Sequence, residues 1–212
     1  MYLTQLHLDI SKRQTLAALT APCKLHGAVE SAFSGPRQRN LWRIDVRAGQ
    51  YYLLLLSGEK PELSQAAAQF GVPGESWQSR DYGALLDRVQ NGSRWRFRLC
   101  ANPTYSVPGE HGQRGRVCAH STPENQIKWL VKQSEKHGFS LKPDEFAVTQ
   151  SKWYRFKKGG SKNVSFLAVT YDGILTVENE ELFKPALCSG IGSGKAYGAG
   201  LMTLMRTGDS HG

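Results

Sequence analysis

Five glycines stand within eleven positions near the C-terminus, in the segment Cys188-Ser-Gly-Ile-Gly-Ser-Gly-Lys-Ala-Tyr-Gly-Ala-Gly-Leu-Met202. A glycine in an ordered segment costs about 0.5–1 kcal/mol relative to alanine, because its backbone loses more freedom on folding. So dense a cluster is tolerated where the backbone adopts positive φ or passes very close to other atoms. The chain must therefore contain a tight loop between a helix predicted at residues 180–187 and a strand predicted at residues 201–206. Close helix-to-strand packing alone would also explain the glycines.

The spacing of these glycines does not fit the common phosphate-binding motifs. A P-loop requires Gly-x-x-x-x-Gly-Lys-[Ser/Thr], but Ser189 stands five residues before Gly194 and Ala196 follows Lys195. The fingerprint Gly-x-Gly-x-x-Gly fails because Lys195 and Tyr197 occupy the third glycine positions. An unrelated α+β enzyme that binds a nucleotide through this loop is therefore disfavoured, and we predict no cofactor.

Charge and cysteine content narrow the class of protein further. The chain of 212 residues carries a formal net charge of +9, which favours a polyanionic partner. The N-terminus lacks the pattern of a signal peptide, and no run approaches the ~20 apolar residues of a membrane span. Cys23, Cys100, Cys118 and Cys188 are widely spaced, so neither a zinc site nor a disulfide framework is indicated. The sequence predicts a soluble, cytoplasmic protein with no metal site.

The order of periodic segments predicts an α+β fold with two tandem ferredoxin-like domains, which are also called RRM-like. Apolar runs and helical spacings give the order β-α-β-β-α-β over residues 1–102, with a helix over Asp81–Val89 and a last strand over Arg94–Leu99. Residues 103–121, rich in Gly and Pro, are predicted to be a connector.

A second, less regular unit is predicted over residues 122–212. A helix should begin at Thr122-Pro123 and end at Gly138. Short strands at about 139–141 and 146–149, a hairpin over 152–170 and a strand over 173–177 should precede the glycine-rich loop.

Basic residues fall in patches that predict contact with RNA. In the last strand of the first unit, alternation places three arginines on one face, opposite Trp95, Phe97 and Leu99. A second patch, the finger, is the hairpin Ser151–Lys162, which carries its basic residues around a Gly-Gly tip; a charged edge that resists aggregation is the alternative. The predicted RNA-binding residues are Arg37, Arg39, Arg94, Arg96, Arg98, Arg114, Arg116, Arg155, Lys157, Lys158, Lys162, Gly192, Gly194 and Lys195.

Several motifs occur in the order found in one known family. They are Met1-Tyr2-Leu3, Cys23-Lys-Leu-His26, Phe97-Arg-Leu-Cys-Ala-Asn-Pro103, Arg116-Val117, Ile127-Lys-Trp-Leu130, Gly173-Ile-Leu-Thr-Val177 and Gly190–Leu201. In these motifs the chain resembles the CasE family, the type I-E CRISPR endoribonucleases of the Cascade complex. The resemblance covers essentially the whole chain.

The resemblance implies a metal-independent endoribonuclease. Such proteins bind the repeat hairpin of precursor CRISPR RNA, cut at the 3′ base of the stem, leave a cyclic phosphate and a 5′-hydroxyl, and retain the mature CRISPR RNA within Cascade. His26 occupies the family's catalytic position, although its spacing beside Leu25 and Val29 also fits a histidine at the edge of a core. Lys24 is a weaker candidate for stabilising charge.

Two departures from the family keep an alternative open. Cys23 stands where several relatives place a tyrosine, which leaves the second catalytic group undetermined, and Cys100 stands where an arginine is common. The alternative is a cleavage-deficient RNA-binding or scaffold subunit of the same complex.

Overall fold

The computed structural model describes residues 1–36, 38–109, 115–158 and 162–208, without the side chains of Lys158 and Lys162. The strands within these residues are β1 (Tyr2–Leu8), β2 (Leu41–Arg47), β3 (Gln50–Ser57), β4 (Gln78–Asp81), β5 (Arg94–Ala101), β6 (Thr104–Val107), β7 (Arg116–Ala119), β8 (Phe139–Lys158), β9 (Lys162–Val177) and β10 (Met202–Arg206). The helices are α1 (Arg13–Thr20), α2 (Cys23–Glu30), α3 (Ser64–Phe70), α4 (Gly83–Leu86), α5 (Pro123–Lys136) and α6 (Glu180–Ser189), followed by a 3-10 turn at Lys195–Tyr197.

Two four-stranded antiparallel sheets confirm the predicted fold class. The first has the strand order β2-β3-β1-β4 and the second has the order β10-β5-β9-β8. Each sheet is built from one β-α-β-β-α-β unit: β1, α1 with α2, β2, β3, α3 and β4 in the first, and β5, α5, β8, β9, α6 and β10 in the second. The strands β6 and β7 form a separate hairpin within the predicted connector.

The prediction that Arg94–Leu99 closes the first sheet is wrong. Strand β5 pairs with β9 and β10 and therefore begins the second unit, so the first unit ends before β5 rather than at residue 102. The helix predicted over Asp81–Val89 is reduced to the short α4. The second helix of the first unit is α3 instead, and the sequence did not indicate it because its alanines give a weak apolar stripe. Alternation identifies a strand but does not name its neighbours.

The hairpin of the second unit is longer than predicted. Strands β8 and β9 pair continuously from Phe139↔Val177 to Lys158↔Lys162, with register shifts between Leu141 and Phe146 and between Val148 and Gln150. The separate strands and hairpin predicted from the sequence are therefore wrong as separate elements. The irregular positions interrupt the alternation of apolar and polar residues, which made one long strand read as several.

A buried guanidinium joins the two sheets. Arg43 of β2 is 2% exposed and donates both Nε and Nη2 to the carboxylate of Asp45, at 2.6 and 2.9 Å. Its Nη1 reaches the carbonyl oxygens of Arg98 and Leu201, each at 2.9 Å, and its Nη2 also donates to Thr203 Oγ1 at 2.8 Å. All five N–H groups of the guanidinium are thus used. Edge strand β2 is consequently fixed against β5 and the segment that enters β10.

The glycine-rich loop closes onto both units through direct contact of its backbone with large side chains. Each of its five glycines has a positive φ, between 79° and 94°. A Cβ on Gly190 would lie 2.7 Å from a methyl carbon of Leu41, and one on Gly198 would lie 2.8 Å from the ring of Trp42. Gly192 faces Trp129 and Gly194 faces Phe166 in the same way. Glycine is therefore required at Gly190, Gly192, Gly194 and Gly198 both by the positive φ and by the close approach of a neighbouring side chain.

We expect Arg43→Met to lower the free energy of unfolding by about 3–5 kcal/mol, because the buried Asp45 carboxylate loses its hydrogen-bonded partner and keeps only the exposed Arg47 at 3.8 Å. The double variant Arg43→Met with Asp45→Leu should recover part of this loss, since no charge then remains buried. Urea unfolding measures both values. Equal losses in the single and double variants would contradict this account.

The Asp45 pair also makes a pH-dependent contribution. Burial alone would raise the pKa of Asp45, but hydrogen bonds and charge from Arg43 lower it overall below 3.8. The pair therefore stabilises the fold above pH 3.8, and the contribution disappears as the pH falls through the lower folded-state pKa. The Arg43→Met variant should lack this part of the acid dependence.

Gly198→Ala should destabilise the fold more than Gly74→Ala. Both glycines have φ near +80°, but a Cβ on Gly74 would meet nothing within 4 Å. The control should cost about 1–2 kcal/mol from backbone strain. Gly198→Ala should cost a further 1–3 kcal/mol, roughly, from overpacking against Trp42. Similar unfolding midpoints for the two variants would show that the ring contact is unimportant.

Candidate active site and nucleic-acid interface

Helix α2 positions the proposed catalytic histidine. Leu25 and Val29 are 1% and 0% exposed and anchor the helix in the core of the first unit. His26 lies beside this apolar stripe with its ring 19% exposed, so it can meet both protein and substrate. Cys23 is half-buried one turn earlier, and Lys24 is exposed.

A carboxylate of the same helix accompanies His26. Glu30 Oε1 lies 3.9 Å from His26 Nδ1, within ion-pair range but beyond a hydrogen bond. A carboxylate beside an imidazole can orient the ring and stabilise the imidazolium that a general acid requires. The helix therefore offers a proton-transfer group with an acidic neighbour.

The glycine-rich loop meets this helix from the other unit. Helix α2 packs against the 3-10 turn Lys195–Tyr197, although about 170 residues separate them in the sequence. Burial, with a smaller contribution from the charge of Arg39, lowers the pKa of Lys195. Tertiary folding therefore brings α2, Lys195 and the exposed Arg39 into one region. Arg37 lies outside the described residues.

The arginines of β5 do not form the unpaired cationic stripe that alternation predicted. Arg94 pairs with Glu145 at 2.5 Å, and Arg98 pairs with Asp172 at 2.6 Å. Arg96 is exposed and has no ion pair among the described residues. The acids come from β8 and β9, far along the chain from β5, so the local sequence could not reveal them. Arg94 also lies at the end of β5 remote from the glycine-rich loop, roughly 23 Å away at 3.3 Å per residue.

The finger keeps the predicted alternation. Trp153, Arg155 and Lys157 are exposed on one face of β8, and the Trp153 side chain is 47% exposed. Lys158 and Lys162 form the last pair of the ladder. The Gly159-Gly160 tip lies outside the described residues.

The opposite face of the finger carries a contact surface that sequence reasoning missed. Tyr154 and Phe156 turn toward the open face of the sheet, where Tyr197 of the 3-10 turn packs edge-on against Phe156 at 5.2 Å between ring centroids. Tyr197 also lies 5.7 Å from Phe166 of β9. Alternation predicts Tyr154 and Phe156 on the face opposite Arg155, but it does not reveal that Tyr197, from a distant part of the chain, packs there.

The remaining predicted RNA-binding residues differ in their settings. Arg116 is exposed on β7, where it pairs with Val107 of β6, while Arg114 lies outside the described residues. Gly192 and Gly194 are half-buried against aromatic rings. Burial raises the pKa of Cys100 to about 11, so its thiol is neutral at pH 7.

Neither a cluster of metal ligands nor a membrane-spanning helix occurs in the described part of the chain. No three metal-binding side chains gather into one site there. No helix in the same residues is long and apolar enough to cross a membrane.

Similar proteins place the chain in a family. The sequence matches the family described as CRISPR associated protein over residues 1–206. A curated relative, the CRISPR-associated endoribonuclease Cse3 of Thermus thermophilus, is 29% identical over 217 residues, which cover 96% of this chain and 99% of the relative.

Solved structures share the same fold. CRISPR endoribonuclease Cse3 bound to a 19-nucleotide RNA has a TM-score of 0.81 at 26% identity, covering 97% of this chain and 100% of that one. A chain of a CRISPR RNA-guided surveillance complex before nicking has a TM-score of 0.73 at 24% identity, with coverages of 97% and 100%. Because the family match extends over nearly the whole sequence, this chain belongs to the CRISPR-associated protein family.

Proposed function

We propose that this protein is an endoribonuclease that binds the repeat hairpin of precursor CRISPR RNA and cleaves it at the 3′ base of the stem. The observation that carries the proposal is the packing of helix α2, which holds His26, against the glycine-rich loop of the second unit. His26 in the first unit and Lys195 in the second then lie on elements that pack against each other. The similarity to RNA-bound Cse3 supports this reading.

The proposed chemistry is attack of the ribose 2′-hydroxyl on the adjacent phosphate. The 2′-oxygen forms a bond to phosphorus as the bond to the 5′-oxygen breaks, which yields a cyclic phosphate and a 5′-hydroxyl. The step needs a proton acceptor at the 2′-oxygen, a donor at the 5′-oxygen and positive charge around the phosphorane. His26 can supply one proton transfer, and Lys195 with Lys24 can supply charge. No metal ion takes part in this scheme.

Cys23 is the residue that favours a second candidate function. A thiol is a weak hydrogen-bond donor and replaces a phenol poorly. If proton transfer by His26 alone is insufficient, the chain would bind the hairpin without cutting it. Cleavage assays separate the two functions.

RNA binding is assigned to the finger and to Arg39, Arg96 and Arg116 of the described residues. Arg155 and Lys157 are exposed on a rigid two-stranded ladder, which suits the phosphate-lined groove of a structured RNA. The product is proposed to stay bound as the mature CRISPR RNA within Cascade, since a chain of the same fold occurs in a CRISPR RNA-guided surveillance complex.

We expect the host repeat RNA to be cut in excess EDTA, because no proposed step uses a metal ion. A 2′-deoxy substitution directly upstream of the scissile phosphate should abolish cleavage and leave affinity nearly unchanged. Gel analysis and mass spectrometry of the products measure both effects. Cleavage of the deoxy RNA would exclude internal attack.

His26→Ala should lower the single-turnover cleavage rate by at least the ~10²-fold typical of a lost general acid or base. Cys23→Ala should cost less than about tenfold, and Cys23→Tyr should increase the rate if the phenol reaches the phosphate. Binding curves for all three variants serve as controls. Full activity in His26→Ala would overturn the assignment, whereas an equally deep loss in Cys23→Ala would show that the thiol participates.

Arg155→Ala with Lys157→Ala should weaken hairpin binding and flatten its salt dependence, because fewer counterions are released. Each lost phosphate contact should reduce the log-log slope by roughly 0.7–0.9. Arg13→Ala with Lys60→Ala removes the same charge from exposed positions of the first unit and is the matched control. An unchanged slope in the finger variant would place the RNA elsewhere.

A further inference from the structure

A small open pocket lies beside the proposed cleavage site. It is bounded by the end of α1, strand β2, the glycine-rich loop and the open face of β8 and β9, and its cavity volume is about 70 Å³. Pro22, which precedes the first residue of α2, forms part of its wall, as does Gly198 after the 3-10 turn. The pocket thus adjoins the helix of His26 without containing the histidine.

Three aromatic rings line the pocket. Trp42 contributes from β2, Tyr154 from β8 and Tyr197 from the 3-10 turn. The rings are held from behind, since Gly198 packs on Trp42 and Phe166 lies 6.0 Å from Tyr154. Trp42 is buried, so the rings open to an occupant are those of Tyr154 and Tyr197. Such π surfaces accept any nucleobase and are used by proteins that bind unpaired RNA.

Polar groups stand between these rings. Gln150, Lys152 and Thr170 line the pocket, and the Lys152 ammonium lies 4.6 Å from the centroid of the Tyr154 ring. Gln150, Lys152 and Tyr154 alternate regularly along β8 and share one face, and the register shift between Val148 and Gln150 puts them on the face opposite Val148. Donors and acceptors therefore surround one opening.

The buried indole of Trp42 lacks a hydrogen-bond acceptor among the described residues. Trp42 is 2% exposed, and its Nε1 has no hydrogen-bond partner within the described residues. Leaving a buried donor unpaired is costly, so native structures seldom do so without a water or ligand. Nε1 is itself buried, so the polar side chains that an occupant of the pocket can meet are those of Gln150, Lys152 and Thr170.

Size and charge narrow the identity of that occupant. At about 70 Å³ the pocket has less than half the volume that encloses a benzene ring, so it can take the edge of a base but not a free nucleotide. Arg43 also lines it, but all five of its N–H groups are used, and Asp45 balances its charge. Lys152 is then the lining cation left to donate to an occupant, and together with the amide of Gln150 it offers both donors and an acceptor, as the edge of a base requires.

We propose that this pocket binds the hydrogen-bonding edge of one unpaired nucleotide next to the cut, and so contributes to the choice of cleavage position. The inference rests on the proposed RNA-binding function and names a further contact of that site. The two faces of β8 then contact different parts of the RNA. Arg155 and Lys157 on one face bind phosphates, and Gln150 and Lys152 on the other form hydrogen bonds with a base.

The test is a double-mutant cycle between protein and RNA. The probe is the host repeat hairpin with its unpaired flanks and a 2′-deoxy residue at the cut, so that affinity is measured without cleavage. Each unpaired nucleotide on either side of the cut is replaced in turn by an abasic residue. The protein variants are Gln150→Leu and Lys152→Met, with Lys157→Met on the opposite face of the same strand as the control.

One abasic position should weaken binding to the unaltered protein by about tenfold and should cause no further loss in the two pocket variants. The control variant, Lys157→Met, should bind every RNA more weakly. It should still lose affinity by about tenfold when the abasic residue is introduced. Both pocket residues are exposed, so either variant suffices if the other fails to fold.

The same abasic loss in all variants, or no loss at any position, would overturn the pocket assignment. A flattened salt dependence in Lys152→Met without coupling would identify a phosphate contact and would overturn it as well. If the unaltered protein binds native RNA but does not cut it, the proposed cleavage is wrong. The double-mutant cycle still tests the pocket in that case, because it measures affinity alone. If the unaltered protein does not bind the hairpin, both proposals fail.

Discussion

The guanidinium of Arg43 is the interaction on which the arrangement of the two units depends. It is buried, it uses all five donors, and its acceptors belong to β2, β5 and the entry of β10. Planar geometry makes such a contact directional, so it fixes an angle as well as a distance. Because β2 is held in this way, Leu41 and Trp42 are presented to the glycine-rich loop. The proposed active site exists only at that junction.

The glycine-rich loop is shaped by packing on several sides at once. Leu41 and Trp42 come from the first unit, while Trp129 and Phe166 come from the second. A side chain at any of these glycines would separate the elements that the loop joins. The requirement for glycine therefore has a structural cause that is independent of RNA, and contact of Gly192 or Gly194 with a phosphate stays a prediction. Lys195, whose pKa is lowered by burial and by Arg39, is the loop's charged group beside α2.

The charge that each basic side chain presents to solvent depends on which acidic side chains the fold places beside it. Arg94 and Arg98 are paired across strands, whereas Arg155 and Lys157 extend from a ladder whose neighbouring positions, Ser165 and Asn163, are uncharged. Exposed pairs contribute little to stability, but they remove cations from the set available to RNA. The finger is thus a stronger candidate for phosphate binding than the β5 stripe, although both have the same basic character in the sequence.

By itself the sequence determined the fold class, the presence of a tight glycine-rich loop, the alternation of the finger and the family resemblance that points to His26. These features are encoded locally, in periodicity, in residues that tolerate positive φ, and in motifs along one stretch of chain. Only the tertiary structure decided that β5 belongs to the second sheet, that Arg98 faces Asp172, and that Arg43 joins the units. It also decided that Trp42, Tyr154 and Tyr197 share one pocket. The physical reason is that strand partners, ion pairs and cavity walls depend on residues far apart in sequence, and no local pattern specifies which of them meet.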